Sequence, residues 1–360
     1  MKRIVFITNS ISFGGAAKML CHLAETLSDR GHAVCIINRS ATNNATDYER
    51  ALKERITLYR TETKNRIEEI IQIMQYTKHF RGEIIIGFTS FPNLYAVIVG
   101  KLLGIPSIIS ERGDPNYTKG NSRIKTFIVD RIINSSKGGV FQTEGARDYY
   151  GKGLKVRGKI IPNPIFMTDD LPERDYQSCE KTIVSVGRLD NFQKRYDVLI
   201  KAFSVFSKEH PEYILKLYGR GNDEIKIKNW IKDEHLENKV QFMGLTTNSM
   251  KAIANEGIFI ITSDFEGISN SLLEAMAVGL PCVSTDHSPG GARLLIQDHV
   301  NGLLAPVGDS DALACALSEF ADSIELSMKC GIKAKEVIER FKDEKIMDMW
   351  ESYIYELCGE

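Results

Sequence analysis

GIFIITSDFEGISNSLLEAMAVGLPCVSTDHSPGGARLLIQDHVNG, residues 257–302, is the stretch whose reading decides the fold. It opens with an unbroken apolar run, Ile258 to Thr262, the pattern of a parallel strand buried on both faces. A polar turn follows, Ser263 to Gly267. A helix then begins at Ser269 to Ser271 and runs to Val278, where Gly279 and Pro281 stop it. A second strand, Cys282 to Thr285, leads into the turn at Gly290-Gly291. The unit is strand–loop–helix–strand, with its polar loop at the carboxyl end of the first strand. Open α/β sheets bind their ligands at that end.

Two glutamates stand out in this unit. Glu266 lies in the loop and Glu274 is eight residues on, inside the helix. Gly267, Ile268, Ser269 and Asn270 lie between them, so their backbone N–H groups can face outward at a helix N-terminus. Those donors and the positive end of the helix dipole suit an anionic phosphate. A carboxylate on either side can accept hydrogen bonds from sugar hydroxyls. Two glutamates at arbitrary spacing would read as one solvated loop residue and one helix-surface residue. The surrounding pattern argues otherwise. EGISNSLLE, followed by AMAVGLPCV and then NGLLAPVGD, resembles the donor site of retaining family 4 glycosyltransferases of the GT-B fold. The resemblance implies an α/β chain of two Rossmann-like parallel-sheet domains facing across a cleft. It also implies that Glu266 contacts the donor sugar and Glu274 the ribose.

The rest of the chain carries the same pattern. Arg3 to Thr8 reads as a first strand, and the loop after it ends in Gly14-Gly15. No G-x-G-x-x-G is present, so these glycines suit close approach of a ligand to the backbone and a helix N-terminus better than a dinucleotide fingerprint. In the resembled family this loop faces the cleft. Strands at Ala33 to Asn38, Ile56 to Tyr59, Glu83 to Phe88 and Ser107 to Ser110 alternate with helices near 16–30, 65–80 and 92–103, which implies a parallel sheet. Residues 40–55 are polar and read as a loop. SERGDPNYTKG follows, and Glu111, Arg112 and Asp114 at this strand end suggest an acceptor-binding edge. Many family members carry a histidine in this region; this chain does not. Val140 to Thr143 and Lys159 to Ile161 finish the first domain.

Ile161-Pro162-Asn163-Pro164 resembles the family's interdomain hinge, and its prolines favour an extended crossing. The polar run 168–180 reads as linker. The second domain opens with the strand Thr182 to Val186, followed by Gly187-Arg188-Leu189, with Lys194 six residues after Arg188. A cation pair at a strand's carboxyl end can hold a pyrophosphate and stabilise its charge as the glycosidic bond breaks. The competing reading is a structural pair at Arg188 and a solvated Lys194. Strands at Ile214 to Tyr218 and Val240 to Met243 complete the alternation. The family's acidic residue after the Gly-Gly turn is absent, since Leu294 stands there. The domains expected are 1–165 on the acceptor side, 166–340 on the donor side, and a final helix in 341–360 packing back on the first.

Composition bounds the chemistry. A chain of 360 residues, 43% hydrophobic and 26% charged, suits two soluble globular domains. Seven scattered cysteines without C-x-x-C suggest neither a disulfide framework nor a zinc site, and fit thiols in a reducing cytoplasm. MKRIVFIT is too short in its apolar part for a signal peptide, and no apolar run is long enough for a membrane span. Asp309-Ser310-Asp311 matches the D-x-D metal motif of the other major glycosyltransferase fold, but Asp309 precedes a helical run and reads as its N-cap. No metal and no cofactor is expected beyond a nucleotide-sugar co-substrate.

The net charge of −1 conceals an asymmetry. Residues 1–165 hold 25 Lys+Arg against 14 Asp+Glu, and residues 166–360 hold 21 against 33. A basic first half argues for an anionic partner there. No zinc-finger, RRM or KH pattern supports nucleic acid. The alternatives are an anionic membrane face or lipid pyrophosphate, and a domain interface where opposite charges meet. Lys119, Arg123, Lys125, Arg131 and Lys137 follow the acceptor loop, mixed with Ile124, Phe127 and Ile128, which suits a membrane surface unless the apolar residues are core.

The sequence therefore favours a retaining glycosyltransferase. It would move a sugar from a nucleotide diphosphate donor, UDP-linked by preference, to a saccharide acceptor. The acceptor would be lipid-linked, in surface polysaccharide biosynthesis at the cytoplasmic face of a membrane. The resemblance implies same-face attack assisted by the departing phosphate. The competing readings are a non-catalytic nucleotide-sugar or glycan-binding protein, and a nucleotide-sugar epimerase or phosphorylase.

Overall fold

The computed structural model describes residues 1–11, 14–39, 52, 54–63, 65–117, 123–167 and 173–359. Lys119 and most of the stretch 40–55 read as a loop lie outside them. The chain divides into two compact units, Met1–Asn163 with Asp343–Glu360, and Pro164–Lys342.

The first unit is built on seven strands: β1 (Arg3–Thr8), β2 (Ala33–Asn38), β3 (Thr57–Arg60), β4 (Ile84–Phe88), β5 (Ser107–Glu111), β6 (Gly138–Phe141) and β7 (Gly158–Ile160). All neighbours are parallel, in the order β3-β2-β1-β4-β5-β6-β7. The strands read as continuous Val/Ile runs because helices cover both faces; Ile4 to Ile7 and Ile84 to Ile86 are fully buried. The helix Asp343–Cys358 completes this unit. Glu351 pairs with Arg30 at 2.6 Å and with His32 at 2.8 Å, and Trp350 is fully buried. The Tyr353 hydroxyl accepts from the Gly139 N–H at 3.0 Å and donates to the Arg157 carbonyl.

The second unit holds β8 (Thr182–Val186), β9 (Ile214–Tyr218), β10 (Val240–Gly244), β11 (Ile258–Ile261), β12 (Cys282–Thr285) and β13 (Leu303–Ala305). Their order is β10-β9-β8-β11-β12-β13, again all parallel. Two apolar clusters, one around Phe203, Leu217 and Ile260 and one around Val184, Phe259 and Leu273, cover the two faces. Winding reverses between β8 and β11, so the loops after these two strands diverge and leave a crevice at their carboxyl ends. Both sheets are α/β, as the sequence indicates. Asp309 does cap its helix, its side chain accepting from the Ala312 N–H at 2.9 Å.

Candidate active site

The crevice at the carboxyl ends of β8 and β11 gathers the second unit's candidate residues. After β8 the chain passes through Gly187 and Arg188 into a short helix, Asn191–Lys194. Asp190 caps that helix by accepting from the Phe192 N–H at 3.1 Å. After β11 the loop carries Glu266, and the helix Asn270–Ala277 follows with Ser269 at its N-cap.

The two loops are stitched together. Gln193 donates from its side chain to the Phe265 carbonyl at 3.1 Å, and its own carbonyl accepts from the Asp264 N–H at 3.0 Å. The Thr262 hydroxyl donates to the Lys194 carbonyl at 2.8 Å. Arg195, in the left-handed conformation at φ 51°, donates from Nη1 to both oxygens of Asp264 at 3.0 and 2.8 Å, and its Nε and Nη2 fork onto the two oxygens of Asp197. Bidentate guanidinium–carboxylate pairs of this kind fix orientation as well as charge. Sequence reasoning missed Arg195, because nothing in the local pattern marks a left-handed arginine.

Lys194 and Glu266 form an ion pair at the base of this frame, with side chains only 15% and 9% exposed. The same carboxylate oxygen accepts from the Ser263 hydroxyl at 2.6 Å, and the Glu266 N–H donates to the Ser288 carbonyl at 2.8 Å. Burial pushes the Glu266 carboxyl up, but Lys194, His287 and the Ser263 hydrogen bond outweigh it and hold the group below the usual carboxylate range. His287 is fully buried beside this pair, and neither ring nitrogen has a hydrogen-bond partner. Burial pushes its imidazole down, so it stands neutral near pH 7.

Arg188 is placed differently from Lys194. Its side chain is 65% exposed, held by Gln193 at 3.2 Å and by Asp190 at 3.5 Å. The expected cation pair is thus one buried lysine already matched to a carboxylate and one arginine open to solvent. Gly267 packs against the turn after β12: a Cβ on Gly291 would lie 1.7 Å from the Gly267 carbonyl oxygen, so only glycine permits that approach. Ile268 and Ser269 are buried, and Asn270 is half-buried at the helix start. Glu274, half-buried one turn on, accepts from the Ser249 hydroxyl at the start of the helix Ser249–Ile253. Ser249 is a site neighbour the sequence did not single out. Leu294, where an acidic residue was expected, is partly buried against the apolar cluster under the helix.

In the first unit, Gly14 is the N-cap of the helix Gly15–Asp29, at a positive φ of 135° that favours glycine, and both glycines are exposed. Glu111 and Asp114 are 2% and 1% exposed. Glu111 accepts from the Tyr150 hydroxyl at 2.9 Å, and Asp114 from the Asn116 N–H at 2.9 Å. Arg112 donates to the Ser110 hydroxyl at 2.9 Å and to Asn163 Oδ1 at 3.2 Å, and stacks on Phe88 and Trp350. These three residues build the end of β5 from within.

Comparison with known proteins bears directly on this arrangement. The profile "Glycosyl transferases group 1" matches residues 170–337, and "Glycosyltransferase Family 4" matches residues 13–167. An N-acetylgalactosamine-N,N'-diacetylbacillosaminyl-diphospho-undecaprenol 4-alpha-N-acetylgalactosaminyltransferase of Campylobacter jejuni is 34% identical over 275 residues, covering 72% of each chain. The chain belongs to the group 1, family 4 glycosyltransferases. An uncharacterized glycosyltransferase of Haemophilus influenzae is 27% identical over 363 residues, spanning 98% of this chain and all of the relative. Among solved structures, Anabaena HepE in complex with UDP and glucose superposes with a TM-score of 0.83 at 18% identity, over 99% of this chain and 100% of that one. The fold of this glycosyltransferase is therefore GT-B. Within it the Lys194–Glu266 pair lies in the region matched by the group 1 profile, and Gly14, Gly15 and Glu111 in the region matched by the family 4 profile.

Proposed function

We propose that this glycosyltransferase moves a hexosyl residue, with retention, from a UDP-sugar bound to the second unit to a saccharide acceptor taken by the first. The observation that carries the reading is the buried Lys194–Glu266 pair at the β8/β11 switch point, beside the exposed guanidinium of Arg188. Arg188, Lys194 and the N-terminus of the Asn270–Ala277 helix hold the diphosphate and stabilise the charge of the leaving group. Gly267, Ile268, Ser269 and Asn270 line that phosphate site. Glu266 touches the donor sugar, and Glu274, oriented by Ser249, takes the ribose. Gly14 and Gly15 offer a ligand close approach to the backbone at the start of the Gly15–Asp29 helix, and the segment Glu111, Arg112 and Asp114 shapes the acceptor edge. No metal is required, since protein cations neutralise the diphosphate and Asp309 is spent on its helix cap.

The acceptor is a lipid-linked saccharide in surface-polysaccharide assembly. Two observations support this. The Campylobacter relative's name specifies a diphospho-undecaprenol-linked acceptor. In the helix Arg123–Ile133, Phe127 and Ile128 are 66% and 52% exposed rather than core, with Arg131 exposed on the same helix. Cations beside exposed apolar groups suit a peripheral helix on an anionic membrane at its cytoplasmic face; among the described residues no helix is long and apolar enough to cross a membrane. The test is a donor screen. Purified protein is incubated with a panel of UDP-sugars and extracted lipid-linked saccharides, and products are read by mass spectrometry, with anomeric configuration by NMR. A new product retaining the donor's anomeric configuration is expected. Release of UDP from no donor, with or without acceptor, would overturn the reading.

A further inference from the structure

One charged residue of the crevice has no part in the transfer described above. Arg195 follows Lys194 directly and holds Asp264, which stands two residues before Glu266. It ends the short helix Asn191–Lys194 and begins the helix Tyr196–Glu209, at φ 51° and ψ 52°. A left-handed backbone is costly for any residue with a Cβ, and glycine would take this conformation without strain. A non-glycine residue persists there only where its surroundings over-determine it, and such positions cluster at functional sites. Here the backbone is held from two sides. The Arg195 carbonyl accepts from the Val198 N–H at 3.0 Å within its own helix and from the Thr262 hydroxyl at 3.2 Å across the crevice.

The side chain gives the reason for an arginine. Its fork onto Asp197, at 2.9 and 3.0 Å, sets the plane of the guanidinium. Asp197 is itself held, its N–H donating to Asn191 Oδ1 at 3.0 Å. Nη1 is thereby aimed at both oxygens of Asp264, so one side chain ties the loop of the lysine to the loop of the glutamate. The tie reaches Glu266 through the backbone. The Asp264 carbonyl accepts from the Ser288 N–H at 3.3 Å, and the Ser288 carbonyl accepts from the Glu266 N–H at 2.8 Å. We infer that Arg195 is a positioning residue for sugar transfer: it fixes the Glu266 loop against the Lys194 loop and so holds both groups in register for the donor. This rests on the reading of the Lys194–Glu266 crevice as the transfer site. Arg195 acts through these two residues, and its contribution is geometric.

Arg195→Gly tests this, because it removes the guanidinium and relieves the backbone at once. Turnover of the UDP-sugar panel is followed by released UDP, and UDP affinity by calorimetry. The expected result is a fall in kcat of roughly tenfold to a hundredfold, the upper figure being the cost of an ångström-scale misplacement. UDP affinity should hold, since Glu274 and Arg188 are not tied to Arg195. Arg195→Lys keeps the charge without the planar fork and should fall between. Asp264→Asn should lower kcat too, and adding it to Arg195→Gly should cost little more, as for two ends of one contact. His235→Gly, which also puts glycine at an exposed left-handed position of this unit, should leave kcat unchanged. Full turnover in Arg195→Gly, or in Arg195→Lys where the glycine variant does not fold, would overturn the inference. A loss of kcat matched by an equal loss of UDP affinity would also overturn it, being the mark of a purely structural residue. Glu266→Gln measured alongside separates the two levels. Full turnover there refutes the crevice as the transfer site and this inference with it, whereas loss there with full turnover in Arg195→Gly refutes the role of Arg195 alone.

Discussion

Replacing Lys194 by alanine is the sharpest test of the second unit's design. Lys194 is 15% exposed and its carboxylate partner 9%, so the substitution leaves Glu266 buried with the Ser263 hydroxyl as its remaining side-chain donor. Removing one partner of a buried ion pair costs about 3–5 kcal/mol, because the survivor keeps its desolvation without its counter-charge. The pH dependence gives the sign. In the wild type the Glu266 carboxyl is held below its usual range, so its contribution to stability is present above that range and lost as pH falls through the folded value. In the variant the burial contribution has lost its main opponent and pushes the carboxyl up, so acid relieves the buried charge. The stability gap between wild type and Lys194→Ala should therefore be about 3–5 kcal/mol near pH 7.5 and narrow on acidification. Urea unfolding followed by the fluorescence of Trp230, in a Trp350→Phe background, reports on the second unit. The apolar double replacement Lys194→Met/Glu266→Met should recover most of the stability and none of the transfer. Equal unfolding of wild type and Lys194→Ala at pH 7.5, or a gap that widens in acid, would refute the argument.

Four further outcomes are expected. Arg188→Ala should fold normally and lower turnover by roughly 2–4 kcal/mol of transition-state stabilisation, the range for one preorganised donor, as read from kcat/KM. Glu274→Gln should weaken UDP in calorimetry, and Ser249→Ala should weaken it less, because Ser249 only orients the carboxylate. Activity should survive EDTA; loss on chelation with recovery on added magnesium or manganese would contradict the metal-free proposal. Phe127→Ser/Ile128→Ser should reduce co-sedimentation with anionic liposomes at low salt, and unchanged sedimentation would remove the membrane part of the proposed function.

The strands were legible because each is buried on both faces and therefore written as an apolar run. β1, β2, β8, β9 and β12 fall at the residues their sequences indicate. Where the reading slipped, a distant residue explains it. The sequence places a strand at Val140 to Thr143, yet β6 begins two residues earlier, at Gly138. A Cβ on Gly138 would lie 2.2 Å from the Tyr353 hydroxyl and 2.5 Å from Leu357, so the C-terminal helix claims that space. Contacts more than 200 residues apart in sequence leave no local periodicity. The stretch 324–340 folds as two helices, Ile324–Ala334 and Val337–Arg340, the second packing on the helix Asn270–Ala277.

The candidate site was legible as residue types at strand ends, and less so as pairings. Arg188, Lys194, Glu266 and Glu274 were named from spacing and resemblance, but spacing carries no information on which of two cations a buried carboxylate will take. The structure gives Glu266 to Lys194, and that changes the electrostatic arithmetic. The pair is internally neutral, so before a ligand arrives the positive field comes from Arg188 and the helix N-terminus at Asn270. On the proposed function, a diphosphate entering this crevice would draw Lys194 partly away from Glu266, and the carboxyl would rise toward its burial-dominated state as the charge around it becomes more negative. In the free protein the buried cation is neutralised by Glu266, and on the proposed function it would become available as negative charge is delivered to it.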